Sequence, residues 1–225
     1  MQEVINLSKG QTINLRKNSK GESIYDLSTV TIGLGWDVRQ KEKGLFGNIF
    51  SSNKEEEYDL DAIAFLLDEN GKVANLGRTV QTSNGQSRGF YEGDIIFFNS
   101  MKHTSGNIWL TGDNRTGAGD GDDEQIIVKL DSLDHKYQKI LFVVSIYQGI
   151  KNNQHFSMVE NAFIRAADAK GKEITKYSLS GDETLNGMCS MVFSEVYRHN
   201  GDWKFRAIGD PFQTDSFLDI LKKYS

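Results

Sequence analysis

Residues 30–36 alternate Val30, Ile32, Leu34 and Trp36 with Thr31, Gly33 and Gly35. A period of two predicts a strand with one bulky face and one nearly bare face. That strand ends at Asp37, and its glycine face lets another backbone approach closely. Residues 62–67, opened by Asp59-Leu60-Asp61, are apolar on both faces, which predicts a central strand of a covered sheet. Asp68-Glu69-Asn70-Gly71-Lys72 closes it with a hairpin-type turn. Residues 139–146 are the most strongly apolar run and predict a second central strand. Shorter strands are expected at 94–99, 108–110, 126–130, 162–167, 173–179, 188–198 and 203–208. The last two are joined by a hairpin with Asn200-Gly201 at its tip. Residues 4–7 and 12–15 predict an opening hairpin or a pair of edge strands, 74–93 a loop, and 156–159 a short helical turn. One amphipathic helix is expected after Pro211, capped by Thr214 or Asp215, with Phe217, Leu218, Ile220, Leu221 and Tyr224 on one face. About ten short strands and one C-terminal helix predict an all-β-dominated antiparallel β-sandwich, in a single domain over residues 1–225.

One stretch stands outside that pattern. Residues 41–57 carry Leu45, Phe46, Ile49 and Phe50 among glycines, and Ser-Ser-Asn-Lys-Glu-Glu-Glu follows. We read it as a loop inserted between two strands. The functional alternative is a docking segment for a partner or a lipid surface. Its charge of −1 offers no attraction to anionic lipid.

Composition narrows the class. At 38 % hydrophobic and 25 % charged, the chain has a soluble globular make-up. No run approaches the roughly 20 apolar residues of a membrane span, and the first residues show no secretory signal pattern. Cys189 is the one cysteine, so an intramolecular disulfide and a dithiol centre are excluded, in keeping with a cytoplasmic location. Without a basic cluster, nucleic acid is not expected as a partner. The four histidines, His103, His135, His155 and His199, share no zinc-ligand spacing.

Charge singles out one loop. The chain holds 31 acids and 26 bases, yet residues 113–124 alone hold Asp113, Asp120, Asp122, Asp123 and Glu124 against Arg115. The remainder is nearly neutral. Gly117, Gly119 and Gly121 allow tight folding that turns carbonyls inward. Dense carboxylate, amide and carbonyl oxygens suit a hard cation such as calcium. An EF-hand fails, because Arg115, Gly117 and Ala118 occupy the positions where its ligands and required glycine belong. A phosphate loop fails, because the glycines match neither fingerprint and no P-loop lysine is present. A calcium loop at one end of a sandwich fits, the alternative being a solvated acidic turn. Asp113, Asn114, Asp122, Asp123 and Glu124 would supply side-chain oxygens, and Thr116, Gly117 and Gly119 carbonyls. Asp37, Asp59, Asp61 and Asn99 lie at other strand ends and would complete a shell of six to eight oxygens, enough for two Ca2+ ions.

The motifs Gly33-Leu34-Gly35-Trp36-Asp37, Asp59-Leu60-Asp61-Ala62, Gly112-Asp113-Asn114-Arg115-Thr116-Gly117, Gly121-Asp122-Asp123-Glu124 and Tyr197-Arg198-His199-Asn200-Gly201-Asp202-Trp203-Lys204-Phe205 together resemble the TerD family. These are bacterial tellurium-resistance and general-stress proteins. The resemblance covers essentially the whole chain. The insertion after Asp37 and Val159-Glu160-Asn161-Ala162-Phe163 look most like its TerZ branch. The resemblance implies a calcium-binding β-sandwich in a cytoplasmic stress-response system, acting with other Ter proteins, one of them membrane-embedded. It implies ligands among Asp59, Asp61, Asn99, Asp113, Asn114, Asp122, Asp123 and Glu124. No catalytic residue and no organic cofactor are expected. The leading expectation is a non-catalytic scaffold or sensor module. The alternative is a metal-dependent hydrolase acting on phosphate-containing substrates.

Overall fold

The computed structural model describes residues 4–18, 20–38, 58–81, 83–111, 121–179 and 183–225. Among them lie fourteen strands, several very short. In chain order they are β1 (Ile5–Leu7), β2 (Thr12–Asn14), β3 (Val30–Val38), β4 (Leu60–Leu67), β5 (Arg78–Gln81), β6 (Ser87–Tyr91) and β7 (Ile95–Ile96). Then come β8 (Ile108–Thr111), β9 (Glu124–Val128), β10 (Lys139–Ile146), β11 (Val159–Ala167), β12 (Glu173–Leu179), β13 (Ser190–His199) and β14 (Asp202–Phe212). Two short helices are α1 (Gly149–Asn152) and α2 (Phe217–Leu221).

One six-stranded sheet runs β1-β12-β11-β3-β9-β8, and the other runs β2-β14-β13-β10-β4-β7. We call them the first and second sheets. The bulky face of β3, with Val30, Ile32, Leu34 and Trp36, packs into the main core against Leu60, Ala64, Leu66, Phe142, Phe193 and Phe205 of the second sheet. This is the expected sandwich.

The apolar outer face of β4 has its own cover. Ile63, Phe65 and Leu67 join Leu141, Val143, Val192 and Ile220 in a second core, with Phe90, Phe217 and Tyr224 packed against it. The helix α2 and the β5–β6 hairpin supply that cover, so residues 62–67 are apolar on both faces because both are buried.

Several local expectations change. The opening segments form no hairpin: β1 pairs in parallel with β12, and β2 pairs antiparallel with β14, so each edges a different sheet. Residues 74–93 contain the β5–β6 pair; its residues are mostly exposed, so no apolar alternation marks it. The 68–72 turn forms, with Gly71 at φ 72°, but β4 pairs with β10 and β7 rather than with the next strand, β5. Pro211 lies inside β14, opposite Met191. Only Lys204, Phe205 and Arg206 of β14 pair with β2, so the missing N–H of Pro211 breaks no ladder on that edge. Ser216 occupies the N-cap of α2, and Thr214 instead bonds Asp219 at 2.8 Å. The Asn200-Gly201 hairpin forms as expected, with φ of 51° and 81°.

Candidate functional site

Strands β3 and β9 pair antiparallel with Leu34 opposite Glu124. The end of β3 therefore runs past the start of β9, alongside residues 121–123. The Asp123 N–H donates to the Leu34 carbonyl at 2.8 Å, and the Trp36 N–H donates to Asp123 Oδ2 at 2.9 Å. The bare face of β3 is filled by this segment together with the Phe163 ring, which lies over Gly35. A Cβ on Gly35 would stand 2.6 Å from the Gly121 carbonyl oxygen, and one on Gly33 would run into the Asp122 carboxyl. Only glycine permits that approach.

Three consecutive acids go three ways. Asp122 lies over Gly33 with no side-chain exposure, and both of its oxygens meet Arg165, at 2.6 Å from Nε and 2.8 Å from Nη2. Arg165 sits directly opposite Gly33 in the β11–β3 register and also reaches Glu173 at 3.1 Å. This is a planar fork on a carboxylate, the strongest common form of such a pair. Asp123 follows the margin of β3. Glu124 shares the inward parity of Ile126 and Val128 and crosses the core, where its Oε2 accepts the Ala62 N–H at 2.5 Å. β7 pairs β4 only at Ala64 and Phe65, so this carboxylate takes over the ladder at Ala62 and ties the two sheets together.

Asp37 stands exposed at the end of β3 and accepts a hydrogen bond from Asn161 Nδ2 at 2.7 Å. Asn161 has φ 52° within an irregular stretch of β11, and that conformation turns its amide toward Asp37. Asp61 lies opposite Ser145 of β10, and the Asp59 carbonyl accepts the Tyr147 N–H at 2.8 Å. Asn99 comes after β7, which runs antiparallel to β4, so the chain there heads back toward the Asp61 end. The Glu124–Ala62 contact thus gathers the tips of β3, β9 and β4 at one end of the sandwich. Asp113, Asn114, Thr116, Gly117 and Gly119 lie outside the described residues, as does the 41–57 insertion.

Burial pushes the Asp123 carboxyl above its usual range; the Trp36 N–H opposes this, and the nearby Asp37 and Asp122 charges add to it. A carboxylate that resists ionisation among like charges is one a cation relieves. Among the described residues, no three His, Cys, Asp or Glu side chains form a group ready to hold a metal. The described candidates Asp37, Asp59, Asp61, Asn99 and Asp123 are oxygen donors of the kind a hard cation takes, but Asp122 is committed to Arg165.

Arg165 and Asn161 were not foreseen. Both come from β11, far from the acidic loop in sequence, and nothing local marks them. Arg165 becomes visible only once β11 is placed beside the glycine face of β3.

A family model described as the TerD domain matches residues 3–224. The chain is 56 % identical over 220 residues to tellurium resistance protein TerX of Serratia marcescens, covering 98 % of this chain and 99 % of that one. It is 37 % identical over 206 residues to TerZ of the same organism, covering 92 % and 89 %. The expected likeness to the TerZ branch therefore gives way to a greater likeness to TerX. A solved homologue of telluride resistance protein (TerD) from Streptomyces coelicolor A3(2) superimposes with a TM-score of 0.57 at 23 % identity, covering 88 % of this chain and 98 % of that one, which supports the fold.

Proposed function

The chain belongs to the TerD family, and from that premise we propose that it is a calcium-binding, non-catalytic module of a bacterial tellurium-resistance and stress-response system. The observation that carries this reading is the crowding of Asp37, Asp122 and Asp123 at the mouth of the acidic loop, where burial already hinders ionisation of Asp123. Asp37 and Asp123 would hold calcium together with Asp59, Asp61, Asn99 and oxygens of residues 113–119, and two ions would use the full donor set. Glu124 would place the shell by fixing β9 to β4, and Arg165 would anchor the loop through Asp122. Calcium would supply charge neutralisation and lock the loop.

A scaffold or sensor role is the natural outcome of that chemistry, since ion binding would set the shape of one end of the sandwich. We assign its action to the cytoplasm with other Ter proteins, one of them membrane-embedded, on family grounds. None of the helices among the described residues is long and apolar enough to cross a membrane. Thermal melting in calcium against chelator tests the reading. A ligand at a hundredfold excess over Kd stabilises by about 2.7 kcal/mol, so the curves should separate by several degrees. Coincident curves would reject it.

A further inference from the structure

A second charged cluster lies on the outer face of the second sheet, and the calcium chemistry does not use it. Glu195 of β13 is buried to 3 % side-chain exposure. Its Oε2 accepts from Lys139 Nζ at 2.7 Å, and its Oε1 pairs with Arg206 Nη2. Arg206 is its direct cross-strand partner on β14, and Leu141 is its partner on β10, two residues beyond Lys139. Glu195 is buried while Lys139 and Arg206 keep 32 % and 43 % side-chain exposure, so desolvation of the carboxylate offsets much of the attraction.

This triad borders a cavity of about 380 Å³, also lined by Lys9, Asp210 and Tyr224. That volume falls within the roughly 300–1,000 Å³ of small-molecule sites. Leu141, Val192 and Ile208 form its apolar wall. Each carboxylate in it is paired with a cation. Both Glu195 oxygens are taken, and Asp210 Oδ1 is held by Lys9 at 2.9 Å. Donors are in surplus. An ammonium carries about three N–H groups and a guanidinium about five, while Lys139 and Arg206 each give one nitrogen to Glu195. Three cations face two carboxylates. Burial and the Glu195 and Asp210 charges raise the Tyr224 pKa, so its hydroxyl stays protonated as a further donor. The three cations against two carboxylates leave one net positive charge, and an anion finds donors already aimed and partly desolvated.

We propose that this cavity binds a small oxyanion, either free phosphate or the phosphate head of a small molecule whose apolar body rests on Leu141, Val192 and Ile208. Glu195 would be a positioning residue that holds Lys139 and Arg206 in place.

Calorimetric titration of inorganic phosphate and of phenyl phosphate into the full chain tests this, with chelator present and ionic strength fixed. The chelator removes calcium, so the outcome is separate from the calcium reading. Saturable binding of one equivalent is expected. Equal affinities favour the free ion as the natural source. A phenyl phosphate about tenfold tighter, about 1.4 kcal/mol, favours the small molecule. Lys9→Ala, at an exposed position, should weaken binding severalfold. The combined variant Lys139→Met, Glu195→Leu, Arg206→Leu keeps the site apolar and foldable and should abolish binding. Absence of saturable binding to the native chain overturns the proposal, as does undiminished binding to the folded combined variant.

Discussion

Asp122 and Glu195 are both carboxylates with almost no exposure, both lie on the outer face of a sheet, and both are answered by an arginine from a neighbouring strand. Their surroundings differ in sign. Asp122 stands beside Asp37 and Asp123, where Arg165 leaves an acidic surplus. Glu195 stands between Lys139 and Arg206 with the Lys9–Asp210 pair beside them, where two carboxylates against three cations leave a basic surplus. Under the two proposals, the same motif would serve a cation at one end of the molecule and an anion on the opposite sheet face. The steric setting differs as well. Asp122 needs two glycines beneath its segment, whereas Glu195 needs only the ordinary pleat of β13.

The largest effect should come from breaking the acidic side. Arg165→Met leaves Asp122 buried without its cation and should destabilise the calcium-free protein by about 3 kcal/mol. For a chain of this size that is a fall in Tm of about 6–12 °C, readable by calorimetry. A shift within error would mean Asp122 is solvated in solution and the comparison fails. Next, Gly33→Ala drives a methyl into the Asp122 carboxyl and should cost about 2 kcal/mol, while also reducing the calcium-dependent gain in Tm. Glu124→Gln keeps an acceptor for the Ala62 N–H but loses the charge, which should cost about 1 kcal/mol in chemical denaturation. The smallest effect belongs to the basic side. Replacing the whole triad by Met, Leu and Leu should change stability by about 1 kcal/mol or less, because an apolar set of similar volume compensates for the lost ion pairs.

A pH series sharpens the contrast with a third buried acid. Burial pushes the Asp94 carboxyl up, but hydrogen bonds from His103 at 3.1 Å, Tyr137 at 2.6 Å and the Asn75 N–H at 3.0 Å outweigh it, so its pKa lies below the usual value. A lowered folded pKa stabilises above the unfolded pKa of about 3.9 and loses that stabilisation as pH falls through the folded value. The native chain should therefore lose stability steeply on the acid side. Asp94→Asn should start lower at neutral pH and show a shallower acid limb. Asp123, whose pKa is raised by burial, contributes with the opposite sign: its ionised form opposes folding, and a bound cation would offset that.

Much of this was legible from local pattern. Period-two alternation located β3, the double-sided apolar run located β4, and Asn200-Gly201 located the β13–β14 hairpin. The glycine face of β3 was readable as a place for close backbone approach, and Gly121 occupies it. What stayed hidden depends on register between distant segments. The Asp122–Arg165 pair joins residues 43 apart, the Glu124–Ala62 bond joins residues 62 apart, and the Glu195 triad needs three strands in register. The acidic run suggested three equivalent donors at 122–124. Asp122 and Asp123 precede β9, so strand alternation governs only Glu124, which takes the inward parity of Ile126 and Val128, while Asp122 turns to Arg165 and Asp123 to the Trp36 N–H.

Calorimetric titration of calcium into the chelator-stripped chain, with Asp123→Asn in parallel, tests the central claim most directly. Saturable binding is expected of the native chain, with a large loss of affinity in Asp123→Asn, whose fold should persist because its side chain still accepts the Trp36 N–H. No saturable heat from the native chain, or equal affinities for the two proteins, would contradict it.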